Sequence, residues 1–234
     1  VGTDQVGRFD ILVDDDTNKI IDWKWELIPI RNDNIAPDAE LQKFIDPYKD
    51  AVDVKYNTFL CRMAKKLTHP FREQETELGN LFADIFAPLG DLDVAFIGSG
   101  SIRLPELGPV VTLRDLKQIF PYDDSFTRYT VTSEQLLRIF NWIMRKDNRD
   151  HEGECYQVSS GVHAVYDDAF QKLISLDVRS ESVDPERQYK IGLQGYHALN
   201  SQENLNISPE ELIEIEPSKV IATSMQGVVE EYLL

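Results

Sequence analysis

The sequence predicts a mixed fold of helices and sheet, α+β or α/β, on three observations. Apolar residues at three- and four-residue steps (Leu78, Leu81, Phe82, Ile85 and Phe86) mark helix faces, and short runs rich in β-branched and aromatic residues mark strands between them. Helix-start chemistry recurs, at Thr112 and at Ser208-Pro209-Glu210-Glu211. The chain of 234 residues is 42% hydrophobic, enough for one large domain or one domain with an appendage. Repeats and low-complexity tracts are absent from the sequence.

Taken in order, Arg8 to Val13 alternates and ends in Asp14-Asp15-Asp16, then Thr17-Asn18-Lys19 leads into Ile20 to Ile30, which predicts a β-hairpin with a polar turn. Pro37-Asp38-Ala39-Glu40 places proline and acids in a first helical turn. Leu41, Phe44 and Ile45 keep helical spacing, so a linker helix is predicted to about Val52. The main domain begins near Asn57, giving segments 1–36, 37–56 and 57–234. Within it, Leu92 to Ile97 is an apolar strand ending in Gly98-Ser99-Gly100-Ser101. Thr112 caps a helix through Phe120, Phe126 to Thr132 is a strand, and Ser133 caps a helix through Arg145. Strands follow at Tyr156–Val158, Val162–Tyr166, Leu173–Val178 and Tyr189–Leu193, and a last helix covers Gln226 to Tyr232.

The charge balance narrows the function. With 24 basic and 41 acidic residues the net charge is −17, a field that repels phosphate backbones and anionic membranes. That excludes a general binder of nucleic-acid polymers but not a small phosphorylated ligand held by a few arginines. No run of about 18 apolar residues predicts a membrane span. Cys61 and Cys155 make one bridge or two free thiols, not a disulfide framework. His69, His151, His163 and His197 are scattered, with no His-Glu-x-x-His spacing, so neither a metal site nor a bound cofactor is expected in this chain. A Gly-x-Ser-x-Gly elbow is also missing. The chain starts at Val1 without an initiator Met or apolar signal segment, and reads as a piece of a longer protein whose compartment is open.

Three groups carry candidate chemistry. Gly98-Ser99-Gly100-Ser101-Ile102-Arg103 follows a strand, where glycines let backbone N–H groups approach an anion and Arg103 offers a planar donor fork; the bland alternative is a tight turn with a salt-bridged arginine. Arg72 stands beside Glu73, Glu75 and Glu77, either as a second anion ligand or as a surface ion pair. Tyr122 and Tyr196 sit next to turns, either as stacking platforms or as ordinary rim and core tyrosines.

An ordered set of segments resembles the C-terminal domain of the 5'-nucleotidase family. Arg72 leads Glu75, Leu78, Gly79 and Asn80 like the family's Arg-x-x-Glu-x-x-x-Gly-Asn. Asp93 to Arg103 resembles its strand ending in Asn-Gly-Gly-Gly-Ile-Arg, and Gly108 to Pro121 its Gly-x-Ile-Thr-x-x-Asp-Leu…Pro-Phe, with Tyr122 for Phe. The match runs from about Asn57 to Glu203, and the hairpin Gly7–Ile30, ending in Leu-Ile-Pro-Ile, resembles the closing strands of the family's metallophosphatase domain.

The resemblance implies an α+β fold with a mixed sheet, and a substrate-binding half. In the family, an N-terminal domain holds two divalent metal ions and hydrolyses the phosphoester, while the C-terminal domain binds the nucleotide and swings it toward the metals. By resemblance Arg72 and Arg103 bind substrate phosphate, and Tyr122 and Tyr196 stack on the base. Gly98 stands at a base-contacting Asn position, and Gln202 at that of a ribose-binding Asp, where an amide binds a diol less strongly than a carboxylate. The expected partners are therefore a nucleotide or another small phosphoester (a nucleotide sugar or cyclic nucleotide included) and the protein's own metallophosphatase domain. The resemblance points to an extracytoplasmic or cell-surface enzyme, although scarce cysteine suits the cytoplasm equally. The rival readings are a binding or interaction module that has lost nucleotide recognition, and a serine hydrolase around Ser99 or Ser101.

Overall fold

The computed structural model describes residues 4–31, 36–150 and 155–234, so His151 lies outside the described residues. It divides into two units, Val1–Val54 and Lys55–Leu234.

In the first unit, β1 (Gln5–Asp14) pairs antiparallel with β2 (Lys19–Pro29). The Asp14 carboxylate accepts the N–H groups of Asp16 and Thr17, which closes the turn and holds its carboxyl below the usual range. The register sets Phe9 opposite Trp25 and Ile11 opposite Trp23, so by the two-residue period one face is aromatic and aliphatic. The other face carries Arg8 against Glu26 and Asp10 against Lys24. Phe9, Ile11, Trp23 and Trp25 are all exposed. Helix α1 (Ala39–Tyr56) is capped by Asp38, whose carboxylate accepts from Glu40 and Leu41. Pro37 therefore lies ahead of the cap, not within the first turn, and the helix continues past Val52 to Tyr56 with Pro47 inside it.

The second unit runs β3 (Phe59–Arg62), β4 (Leu67–Thr68), α2 (Glu77–Phe86), β5 (Val94–Gly98), β6 (Glu106–Leu107), β7 (Val110–Thr112), α3 (Leu113–Ile119), β8 (Phe126–Thr132) and α4 (Ser133–Ile143). It continues with β9 (Tyr156–Val158), β10 (Val162–Asp167), β11 (Lys172–Val178), β12 (Glu181–Ser182), β13 (Gln188–Gln194), α5 (Gly195–Leu199), α6 (Ser201–Leu205), α7 (Pro209–Leu212), β14 (Lys219–Ala222) and α8 (Met225–Leu233). The central sheet has the order β14-β8-β13-β5-β9; β13 and β5 are parallel and the other pairs antiparallel, which makes it mixed.

Both faces of this sheet are covered. On β5, Ala95 and Ile97 enter one core with Phe82 and Phe86 of α2, Leu116 of α3 and Val229 of α8. Val94 and Phe96 point to a second core with Leu136 and Phe140 of α4 and Leu176 of β11. That double burial is why β5 reads as an unbroken apolar run instead of an alternating one.

Helix starts follow side-chain chemistry. Thr112 caps α3 in a box with Asp115, and Ser208 caps α7 in a box with Glu211. Helix α4 corrects the expectation: its cap is Thr132, which exchanges hydrogen bonds with Gln135, while the Ser133 hydroxyl donates to the Pro185 carbonyl, and the helix ends at Ile143. Cys61 and Cys155 are not joined by a disulfide.

Candidate ligand-binding site

The sheet topology gathers the candidate residues. Because β5 and β13 run parallel, the turn after Gly98 and the turn after Gln194 open at the same end of the sheet. Strand β8 is antiparallel to β13 with Phe126 opposite Gln194, so the segment just before β8, carrying Tyr122, lies at that end too. One cavity of about 550 Å³ results, lined by Arg72, Arg103, Tyr122 and Tyr196 together with Gly100, Ser101, Asp123, Asp124, Gln194 and His197. Its size falls within the roughly 300–1,000 Å³ of small-molecule sites. A more open hollow of about 680 Å³ shares Asp124 and Tyr196 but has no cation in its lining, so it offers an anion nothing comparable.

Neither arginine is taken by a carboxylate among the described residues. Arg72 is exposed, and the neighbouring Glu77 pairs with Lys65 at 2.5 Å instead. Arg103 donates from Nη1 to the Gly100 carbonyl at 3.2 Å, and its guanidinium carbon lies 6.0 Å from the centre of the Tyr122 ring. Both tyrosines are open to solvent, Tyr122 at 52% and Tyr196 at 63%, so neither is a core residue.

Carboxylates in the lining serve the scaffold. Asp124 accepts the N–H of Ser125 at 2.7 Å and that of Tyr196 at 2.7 Å, which ties the start of α5 to the turn before β8. A Cβ on Gly195 would lie 2.4 Å from Asp124 Oδ1, so glycine is what admits this approach. Asp123 accepts from the Ser224 hydroxyl and from Gln226 N–H.

Four N–H groups of the turn after β5 are bonded within the protein. Gly98 N–H donates to Gln194 Oε1, Ser99 N–H to the Cys155 carbonyl, Ile102 N–H to Ser99 and Arg103 N–H to Ile119. Those four donors are engaged internally, and Arg103 brings a side-chain guanidinium to the cavity beside Gly100 and Ser101. Gly98 is buried in β5 and Gln202 is exposed on α6; neither lines the cavity. The hydroxyls of Ser99 and Ser101 bond the side-chain amides of Gln157 and Gln194, an arrangement unlike an activated serine nucleophile. No group of three His, Cys, Asp or Glu residues among the described ones is placed to hold a metal ion.

His197 lies against the Tyr196 ring, edge-on with centroids 5.2 Å apart, and shares a 2.7 Å hydrogen bond between Nδ1 and the Tyr156 hydroxyl. Burial pushes its imidazole down to about 4, against a smaller upward pull from Asp124. The unfolded chain takes up this proton below about pH 6.5 and the folded one refuses it, so stability is full above that pH and falls as pH drops toward 4. His197 alone should cost about 2 kcal/mol between pH 7 and 5. His69, lowered chiefly by burial, adds in the same direction. Urea unfolding at the two pH values should show the loss, and His197→Gln should shrink it; an undiminished loss in that variant would place the acid sensitivity elsewhere.

Fold and cavity together define an α+β domain with a cavity lined by two arginines and two tyrosines. A family model, 5'-nucleotidase, C-terminal domain, matches residues 61–206, and the chain belongs to that family. Among solved structures it is similar to a 5'-nucleotidase precursor from Thermus thermophilus, with a TM-score of 0.71, 16% identity, and coverage of 98% of this chain and 46% of that one. It is similar also to the NAD nucleotidase of Haemophilus influenzae, with a TM-score of 0.62, 13% identity, and coverage of 89% and 43%. A curated relative, endonuclease YhcR of Bacillus subtilis (strain 168), is 23% identical over 137 residues, which is 58% of this chain and 11% of that protein. The chain thus spans less than half of these structures and about a tenth of the curated relative. Among the described residues no helix is long and apolar enough to cross a membrane.

Proposed function

We propose that this chain is the substrate-binding domain of a metal-dependent phosphohydrolase acting on a nucleotide or a related phosphoester. One observation carries the reading: in a chain of net charge −17, two arginines without carboxylate partners among the described residues line one cavity with two half-exposed tyrosines. Arg72 and Arg103 hold the phosphate by charge-assisted hydrogen bonds, and Tyr122 and Tyr196 stack on a planar ring. The likeness to solved structures spans nearly the whole chain, which supports reading the β1–β2 hairpin as the closing strands of an upstream metallophosphatase domain that holds two divalent metal ions. Hydrolysis then belongs to that domain, and this one positions the substrate.

Titration calorimetry with AMP, UDP-glucose and a cyclic nucleotide tests the reading. Selective binding of at least one phosphorylated ligand, tighter than its unphosphorylated counterpart, is expected. Failure of every member to bind would favour an interaction module, the reading to which the placement of Gly98 and Gln202 outside the cavity lends weight. The chain by itself should show negligible phosphatase activity with added Mn²⁺, Zn²⁺ or Co²⁺, because its described residues offer no cluster for such an ion. Robust metal-dependent release of phosphate from AMP by the pure chain would refute this division of labour.

A further inference from the structure

A buried polar network joins the two arginine-bearing segments, and one side chain sits at its centre. Gln157 of β9 is fully buried. Its Nε2 donates to the Gln74 carbonyl at 3.0 Å and to Ser99 Oγ at 2.6 Å, while its Oε1 accepts from Thr76 N–H at 2.8 Å. One amide therefore ties the segment just after Arg72 to the turn just before Arg103.

His69 makes a second tie, with Nε2 3.2 Å from the Ser99 carbonyl and Nδ1 2.8 Å from Thr76 Oγ. A carbonyl only accepts, so Nε2 carries the proton and Nδ1 accepts from the threonine hydroxyl. The scaffold makes room for the amide: a Cβ on Gly79 of α2 would lie 2.0 Å from Gln157 Oε1. Glutamine suits the place because it donates twice and accepts at the same site; glutamate cannot donate there and leucine does neither. The turn after β5 has its own internal brace, since Gln194 holds Gly98 N–H and Ser101 Oγ. Loss of Gln157 would thus remove one of the two ties between the segments while the His69 tie and the brace of the turn remain.

We infer that Gln157 is a positioning residue that sets the Arg72 segment against the Arg103 turn, so that both guanidinium groups meet one phosphate. The inference rests on the phosphate-binding reading of the cavity. Fixing two flexible cations relative to each other before binding lowers the entropy cost of closing them on an anion.

The test is calorimetric titration of the chain with AMP and with adenosine, for wild type, Arg103→Ala, Gln157→Leu and Ser99→Ala. Gln157→Leu should lower AMP affinity about tenfold and leave adenosine within about twofold, a split that a general loss of packing would not produce. Ser99→Ala deletes a single hydroxyl and leaves the amide in place; it should act in the same direction, more weakly, with the melting temperature kept, and it carries the test if the leucine variant does not fold. If Arg103→Ala lowers the AMP-to-adenosine ratio while Gln157→Leu and Ser99→Ala leave it unchanged, the inference is overturned and the phosphate reading stands. If AMP binds no tighter than adenosine, or Arg103→Ala leaves the ratio alone, the phosphate reading falls and this inference with it.

Discussion

Arg103→Ala should weaken binding of a phosphorylated ligand by about ten- to a hundredfold and leave the matching nucleoside nearly unaffected. A hydrogen bond to a charged group contributes roughly 1.5–3 kcal/mol, and each 1.4 kcal/mol is about tenfold in affinity. The nucleoside has no phosphate with which to make that bond. Arg103 is not neutral to its surroundings, because it also donates to the Gly100 carbonyl and lies over the Tyr122 ring. Equal losses for nucleotide and nucleoside would mean that the side chain acts by bracing the turn. Arg72→Ala should show the same selectivity, and of the neighbouring acids Glu77 is held by Lys65.

Removal of a tyrosine face should cost about as much, and for both forms of the ligand. Stacking on one aromatic face contributes roughly 1–3 kcal/mol by alanine substitution, so Tyr122→Ala or Tyr196→Ala should weaken base binding about tenfold or more. Tyr→Phe at either position should be mild, because the face and not the hydroxyl does the stacking. The surroundings of the two rings differ. Tyr196 has its backbone N–H fixed by Asp124 and rests edge-on against buried His197, whereas Tyr122 has the Arg103 guanidinium nearby. In the arginine variant the Tyr122→Ala loss should therefore change more than the Tyr196→Ala loss. Calorimetry on the two double variants measures this, and equal changes would remove the Arg103–Tyr122 contact from the account.

Much of the fold is legible where the signal is local. Thr112 with Asp115 and Ser208 with Glu211 are capping boxes within four residues, and the apolar run of β5 is long enough to read. Thr132 misleads because it ends a strand and caps a helix at once, next to a serine of equal capping ability. Strands β3, β4, β6 and β7 are two to four residues long and pair with partners far along the chain, so no period marks them. Arg72, Arg103, Tyr122 and Tyr196 in the cavity stand out by residue type, whereas Gln194 beside them and Gln157 buried behind them do not, since a glutamine has no characteristic spacing. Two faint signals are present. Gln157 stands between Tyr156 and Val158 in β9, and Gly79 interrupts an apolar helix at about 1 kcal/mol relative to alanine, an expense that marks a close approach.

The β1–β2 hairpin has a consequence for handling the protein. Its aromatic face lies open, and as a two-stranded ribbon it leaves a row of backbone donors and acceptors on each outer side. Copies of such a ribbon can add to one another edge to edge and bury their tryptophans in doing so. Residues 5–29, remote in sequence from every residue that lines the cavity, thus offer a surface for association in concentrated solution, and lysine substitutions at Ile11 or Trp23 should reduce it.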